Sequence, residues 1–112
     1  MAGKKINTKK VTQEYIRSVR GTLHVEKVMV FGSVARKETT QESDIDLIIL
    51  SNDFASMSLL QRLSLLNSLR RGEALKIPMD ILGYTQKEFL DFKKSDSSNV
   101  RGIYRDARQV YP

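Results

Sequence analysis

The chain has 112 residues, a formal net charge of +6, 40% hydrophobic residues and 29% charged residues. This composition excludes a disordered chain, and the absence of cysteine excludes disulfides and thiolate metal sites. The longest apolar runs, Val28–Phe31 and Leu47–Leu50, are far shorter than the ~18 residues of a membrane span. We therefore expect a cytoplasmic protein without a membrane segment, folded as a single domain over residues 1–112, with about residues 1–7 disordered.

Helical and strand patterns alternate along the chain. Apolar residues at helical spacing predict a first helix, and short apolar runs predict three strands. Gly72 is expected to end a leucine-rich helix, and Thr85 to cap the helix after it. The predicted elements are a helix at Thr8–Thr22, a strand at Lys27–Phe31, a short helix at Ser33–Lys37, a polar loop at Glu38–Ser43, a strand at Asp44–Leu50, a turn at Ser51–Asp53, a helix at Ala55–Arg71, a strand at Ile77–Gly83, a helix at Gln86–Lys94, a break at Ser95–Ser98 and a last helix at Asn99–Gln109. This order indicates an α/β (α+β) fold, a small sheet covered by helices.

Two surface features bear on partners. The leucines of the central helix are interpreted as core, although their stripe is wide enough for part of it to face a partner helix. The basic excess is typical of a protein with polyanionic partners, and also of solvated helix surfaces. Aromatic residues are not interleaved with the basic ones, so nucleic-acid binding is possible but unsupported. The leucines are Leu59, Leu60, Leu63, Leu65, Leu66 and Leu69.

The segment from Gly32 to Asp46 carries the main functional signal. It reads as a Gly-Ser pair, ten residues and Asp-x-Asp, and an apolar strand lies on each side of it. Alternation along a strand directs Asp44 and Asp46 to the same face. Two adjacent carboxylates repel each other unless a cation lies between them, and Mg²⁺ with a bound phosphate suits such a pair. The alternative is an ordinary turn followed by a solvated strand start.

The Gly-Ser pair is interpreted as a phosphate-binding element. Gly32 allows a tight turn and close approach of a ligand, and Ser33 can cap the short helix after it. Free N–H groups at a helix start bind phosphate. Arg36, one turn further on, is placed to reach the same phosphate or to lie in solvent.

A third acid is predicted in the next strand. Asp80 lies between Met79 and Ile81, and an acid within an apolar strand is costly unless it is paired or binds a metal. We interpret Asp80 as the third carboxylate of the site. The alternative is an ion pair with Lys76 or with an arginine at the end of the preceding helix.

The motif resembles the signature of the minimal nucleotidyltransferase family, within the DNA polymerase β-like nucleotidyltransferase superfamily. Two positions depart from it, because Val34 stands where the family often has Arg and Lys37 where it usually has Gly. The resemblance implies a mixed-sheet nucleotidyltransferase fold. The matching positions are Gly32, Ser33, Ala35, Arg36, Ser43, Asp44, Asp46 and Leu47.

The resemblance also implies the chemistry. Asp44, Asp46 and Asp80 would hold one or two Mg²⁺ ions and act in catalysis, with Asp80 near the attacking hydroxyl. Gly32, Ser33 and Arg36 would bind the nucleoside triphosphate, expected to be ATP.

Small members of this family often occur with a helical HEPN-type toxin, as the antitoxin, and transfer AMP to that partner. The expected function is thus AMP transfer to a hydroxyl of a macromolecule, with a HEPN-type partner or a homodimer. The alternative is a non-catalytic module that binds its partner and keeps a weak or vestigial nucleotide site.

Overall fold

The structure, a computed structural model, describes residues 7–31, 45–94 and 107–112. The predicted short helix at Ser33–Lys37, the loop at Glu38–Ser43 and the break at Ser95–Ser98 lie outside these residues. The helices are α1 Thr8–Arg20, α2 Leu59–Ser68 and α3 Gln86–Lys93, with 3₁₀ helices at Asn52–Ser56 and Gly72–Leu75. The strands are β1 Lys27–Phe31, β2 Ile45–Leu50, β3 Met79–Tyr84 and β4 Arg108–Tyr111.

The strands form one mixed sheet in the order β3-β2-β1-β4. β1 runs antiparallel to β2 and to β4, whereas β2 and β3 are parallel. Alternation along β2 places Ile45, Leu47 and Ile49 on one fully buried face, and Asp46 points to the other. The predicted α/β (α+β) architecture, a small mixed sheet covered by helices, is confirmed.

Helix α1 packs its apolar stripe into the core under the sheet. Its buried residues include Tyr15, Ile16 and Val19, which belong to one cluster with Val30 and Leu47. Asn7 accepts a hydrogen bond from the backbone of Lys10 and caps the helix. No helix in the described ranges is long and apolar enough to cross a bilayer.

Polar side chains of α1 satisfy the last carbonyls of α2. The Tyr15 hydroxyl donates to the Leu66 carbonyl at 2.6 Å, and the Ser18 hydroxyl donates to the Leu69 carbonyl at 2.7 Å. Helix ends leave such carbonyls without partners in their own helix. The two bonds therefore join the helices and stabilise the end of α2.

Arg62 fixes α2 against β3 and α3. Its five N–H donors all find acceptors: the carbonyls of Met57, Phe54 and Gly83, and both carboxylate oxygens of Glu88 at 2.7 and 3.1 Å. The Arg62 side chain is only 5% exposed. A buried guanidinium is stable here because every donor is paired.

The leucine-rich helix differs from its prediction. It begins at Leu59 rather than Ala55, because residues Asn52–Ser56 form a 3₁₀ helix and Ser58 makes a capping box with Gln61. It ends at Ser68, before Gly72, which has the left-handed φ of 58° that glycine adopts readily. The predicted start and stop of this helix were wrong.

Only part of the leucine stripe belongs to the core, and the sequence had left open that another part faces outward. Leu66 and Leu69 are buried, but Leu59, Leu60 and Leu63 are 61%, 76% and 37% exposed. Arg62 takes the inward position one turn before Leu66, which turns the three earlier leucines toward solvent.

The helix predicted near the C-terminus was wrong at the residues that the structure describes. A helix was expected at Asn99–Gln109, but Arg108–Tyr111 forms β4, paired with β1. Residues 99–106 lie outside the described ranges. Tyr111 packs on the core, and the Arg20 guanidinium lies over the Tyr111 ring, 4.9 Å from the ring centroid. Tertiary contacts therefore decide that this segment forms a strand.

Candidate active site

Asp46 and Asp80 lie side by side on the sheet. They are register partners in the parallel pair of β2 and β3, so they share one face and are separated by about one strand spacing, ~4.8 Å between backbones. Their neighbours Ile45 and Met79 are also register partners and are buried on the opposite face. Asp46 is half-buried and Asp80 is exposed. The sheet therefore converts two distant acids of the sequence into a pair.

Phe31 extends this row of side chains. It is the last residue of β1 and is the register partner of Asp46 on the side away from Asp80. The next residue in the chain is Gly32, at which the predicted phosphate-binding element starts. The described end of β1 thus lies beside the acid pair, at the same end of the sheet.

A cleft of about 610 Å³ opens over the acid pair. Helix α2 contributes Leu63 and Asn67 to its lining, one helical turn apart, and the Asn67 amide donates to the Leu63 carbonyl at 2.8 Å. The lining thus includes both acids, Asn67 and several apolar residues. Its lining consists of Phe31, Asp46, Leu63, Asn67, Met79, Asp80, Ile81 and Leu82.

The predicted alternative partners of Asp80 are engaged elsewhere. Lys76 pairs with Glu73 at 3.6 Å, and the Arg70 guanidinium donates to the carbonyls of Ala74 and Ile77. Within the described part of the chain, no basic side chain forms an ion pair with Asp80. Asp80 is therefore an exposed acid that lines the cleft and can bind a ligand.

Four of the six predicted site residues lie outside the described residues: Gly32, Ser33, Arg36 and Asp44. Their roles stay predictions. Among the residues that the structure does describe, no group of three potential metal ligands occurs. Asp46 and Asp80 are the two predicted ligands that the structure brings together, and carboxylate oxygens are suitable donors for Mg²⁺.

Sequence reasoning missed the lining that α2 and β1 contribute. The sequence could have indicated Phe31 as a site residue, because it directly precedes Gly32 at the end of a predicted strand. No local pattern indicated Leu63 and Asn67, since their place in the cleft lining depends on how α2 packs along β3. The leucine spacing alone indicated burial for Leu63, and its 37% exposure at the cleft reverses that expectation.

Ionisable groups outside the cleft support the fold around it. The hydrogen bond from Arg62, with further hydrogen bonds from Thr85, holds the pKa of the Glu88 carboxyl below its usual value despite some desolvation. Burial raises the pKa of Tyr84, and the Glu88 carboxylate raises it further. Burial likewise raises the pKa of Tyr15, whose hydroxyl stays neutral and donates to α2.

Comparison with known proteins agrees with this architecture. The family described as Polymerase beta, Nucleotidyltransferase matches residues 13–108, which include both acids of the pair. The chain belongs to this family. It is a nucleotidyltransferase, an enzyme that transfers a nucleotide unit.

Relatives from Methanocaldococcus jannaschii narrow the class. The chain is 28% identical over 109 residues to one named putative protein adenylyltransferase MJ0604, with 95% of this chain and 100% of the relative covered. It is 31% identical over 74 residues to putative protein adenylyltransferase MJ0126, with 66% of this chain and 71% of the relative covered. The chain is thus similar to proteins named for adenylyl transfer.

Solved structures share the fold. A putative nucleotidyltransferase from Sulfolobus solfataricus superposes with a TM-score of 0.66 at 22% identity, covering 96% of this chain and 87% of that one. A toxin–antitoxin structure with AMP-PNP superposes with a TM-score of 0.60 at 18% identity, covering 88% and 71%. A mutant of the toxin–antitoxin MntA-HpeT gives a TM-score of 0.56 at 16% identity, covering 88% and 70%. At these identities the likeness concerns the fold.

Proposed function

We propose that this enzyme transfers AMP from ATP to a hydroxyl group of a protein acceptor. The pairing of Asp46 with Asp80 at the cleft carries the proposal, because nucleotidyl transfer needs acidic ligands beside the reacting phosphate. Two further findings support it: the relatives named as protein adenylyltransferases, and the neighbouring structure that contains AMP-PNP.

The acids fit a magnesium site. Asp46 and Asp80 offer oxygen donors from one face of adjacent strands, and Asp44 stands two residues before Asp46 in the sequence. We propose that these three carboxylates hold Mg²⁺, with two ions possible. When bound, Mg²⁺ offsets negative charge on the triphosphate and helps to orient it for in-line attack.

The protein groups have distinct proposed roles. Gly32 and Ser33 bind the β- and γ-phosphates, with Arg36 as an additional cation. Asp80 accepts the proton of the acceptor hydroxyl as its oxygen bonds to the α-phosphorus. The bond from the α-phosphorus to the bridging oxygen breaks, and pyrophosphate leaves with that electron pair. The acceptor then carries AMP through a phosphodiester link.

The proposed acceptor is a partner protein. Toxin–antitoxin assemblies among the structural neighbours support this choice, and the family resemblance implies a HEPN-type toxin with this chain as its antitoxin. A homodimer that presents the acceptor hydroxyl is the other arrangement we consider. Because ATP is the donor, we place the reaction in the cytoplasm.

The test uses ATP labelled on the α-phosphate, ATP labelled on the γ-phosphate, and the proteins of the native host. The enzyme should transfer only the α-label to protein, and a chelator of divalent cations should stop transfer. The labelled acceptor is then identified by mass spectrometry and purified. Absence of α-label on any protein, including the enzyme itself, would contradict the proposed function.

A binding measurement provides an independent check. ATP with Mg²⁺ should raise the melting temperature, because a ligand that binds only the folded state stabilises it. Asp46→Asn should remove most of that rise while the nucleotide-free protein stays folded. If neither Mg²⁺ nor Mn²⁺ with any nucleoside triphosphate stabilises the protein, the catalytic proposal fails at the binding step.

A further inference from the structure

Helix α2 presents an apolar surface that the described part of the chain leaves exposed. Leu59 and Leu60 are 61% and 76% exposed at the start of this helix, and Leu63 is 37% exposed one turn later. We call these three residues the leucine face. Leu66 of the same helix and Leu69, which follows the helix, are buried in the core, whereas the leucine face is not part of the core.

The leucine face is continuous with the active-site cleft. Leu63 belongs to both, because it also lines the cleft that contains Asp46 and Asp80. Among the described strands β3 lies at the edge of the sheet, and α2 packs along it. A molecule on the leucine face therefore lies at the β3 side of the cleft, next to the strand that carries Asp80.

The charge of this surface selects the kind of occupant. Arg62 is the only charged residue of α2, and its guanidinium is buried and fully paired with protein acceptors. The exposed surface of α2 is therefore neutral, in a chain with 29% charged residues and a net charge of +6. A neutral apolar surface does not attract a polyanion, but it complements an apolar segment of a protein.

The size of the leucine face indicates a short-lived contact. Three partly exposed leucines present on the order of 300 Å², within the range of patches that are often functional. A stable interface needs roughly 800 Å² from each partner. A surface of this size is too small for a permanent dimer. It is better suited to an acceptor protein, which must leave after each transfer.

We propose that the leucine face is the docking surface for the acceptor protein, which presents an apolar segment beside its reactive hydroxyl. Docking there brings the hydroxyl to the Asp80 side of the cleft. This inference rests on the proposed function, and it adds which surface selects the acceptor and what chemistry that acceptor must present.

The test replaces leucines that lie outside the cleft lining. Leu59→Ser with Leu60→Ser should raise the KM for the purified acceptor about tenfold or more, because each buried leucine contributes on the scale of one tenfold step. The KM for ATP should change by less than roughly twofold, and so should kcat at saturating acceptor. Both leucines are exposed, so the variant is expected to stay folded, which its melting temperature checks.

Leu75→Ser is the matched control. Leu75 is 64% exposed on the second 3₁₀ helix and does not line the cleft, so its loss should leave both KM values unchanged. An equal effect of the control and the double variant would overturn the proposal, as would an unchanged acceptor KM in the double variant. Light scattering adds a separate outcome: if the double substitution dissociates a wild-type dimer, the leucine face is a self-association surface and the proposal is wrong.

Failure of this inference differs from failure of the proposed function. In the first case the wild-type enzyme labels its acceptor and the leucine variants label it equally well. In the second case the wild-type enzyme labels no protein, and the acceptor-docking proposal falls with it.

Discussion

Asp80→Asn separates a catalytic acid from a structural one. Asp80 is exposed, and within the described ranges it forms no ion pair, while its register partner on β2 is Asp46. Asparagine keeps the shape of the side chain and removes its charge. We therefore expect transfer of AMP to be lost and the fold to be retained.

The expected change in stability is small and can be bounded from the register. Two carboxylates on adjacent strands lie about 5 Å apart, and in a water-like dielectric their repulsion is about 1 kcal/mol or less. Removal of one charge should thus leave the free energy of unfolding unchanged or raise it by up to about 1 kcal/mol. A buried ion-pair member would behave differently, since its loss costs about 3–5 kcal/mol.

Urea unfolding in the presence of a chelator measures the stability, and transfer of α-labelled AMP measures the activity. Asp91→Asn is the control, because Asp91 is an exposed acid on α3 outside the cleft lining, and it should affect neither quantity. An Asp80→Asn protein that unfolds several kcal/mol more easily, or that still transfers AMP at the wild-type rate, would refute the assignment.

Three further predictions concern the scaffold, and each is read by urea or thermal unfolding. Arg62→Ala should lower the free energy of unfolding by about 3 kcal/mol, because it removes the guanidinium that donates to three carbonyls and to the partly exposed Glu88 carboxylate. A loss under about 1 kcal/mol would contradict this account. The lowered pKa of Glu88 contributes stability that is present above the usual value of 4.5 and is lost as the pH falls through the lower folded-state value. Glu88→Gln should therefore make the free energy of unfolding less dependent on pH in the acid range. An unchanged pH dependence in that range would contradict this role of Glu88. Gly83→Ala should cost about 1–3 kcal/mol, because the added methyl would lie 2.8 Å from the Phe54 ring, and an equally stable variant would show that the ring moves freely.

Local sequence signals predicted much of the secondary structure. The strand Lys27–Phe31 and the start of α3 at Gln86 agree with the predictions, and Thr85 caps α3 through a capping box with Glu88. The spacing of Tyr15, Ile16 and Val19 correctly predicted the buried side of α1. These features follow from alternation, helical period and capping, which act over a few residues and can be read from one chain.

For the candidate site, the sequence indicated the two acids that the structure brings together, but not the neighbours that complete the cleft. The Asp-x-Asp motif and the acid within the third strand singled out Asp46 and Asp80 from their local patterns. That the two meet depends on β2 and β3 pairing in parallel at one register, and a shift by one residue would have turned Asp80 to the buried face. The contribution of Leu63 and Asn67 to the cleft depends in the same way on the packing of α2 along the edge of the sheet.

By itself, the sequence determined the alternation of helices and strands, the helix caps and the nucleotidyltransferase motif, because each depends on neighbouring residues. Only the tertiary structure decided that Arg62 lies in the core while Leu60 faces solvent, since a buried guanidinium needs acceptors from 3₁₀ helix, strand and helix together. It also decided that Arg108–Tyr111 forms a strand, because pairing with β1 supplies hydrogen bonds that no local pattern encodes.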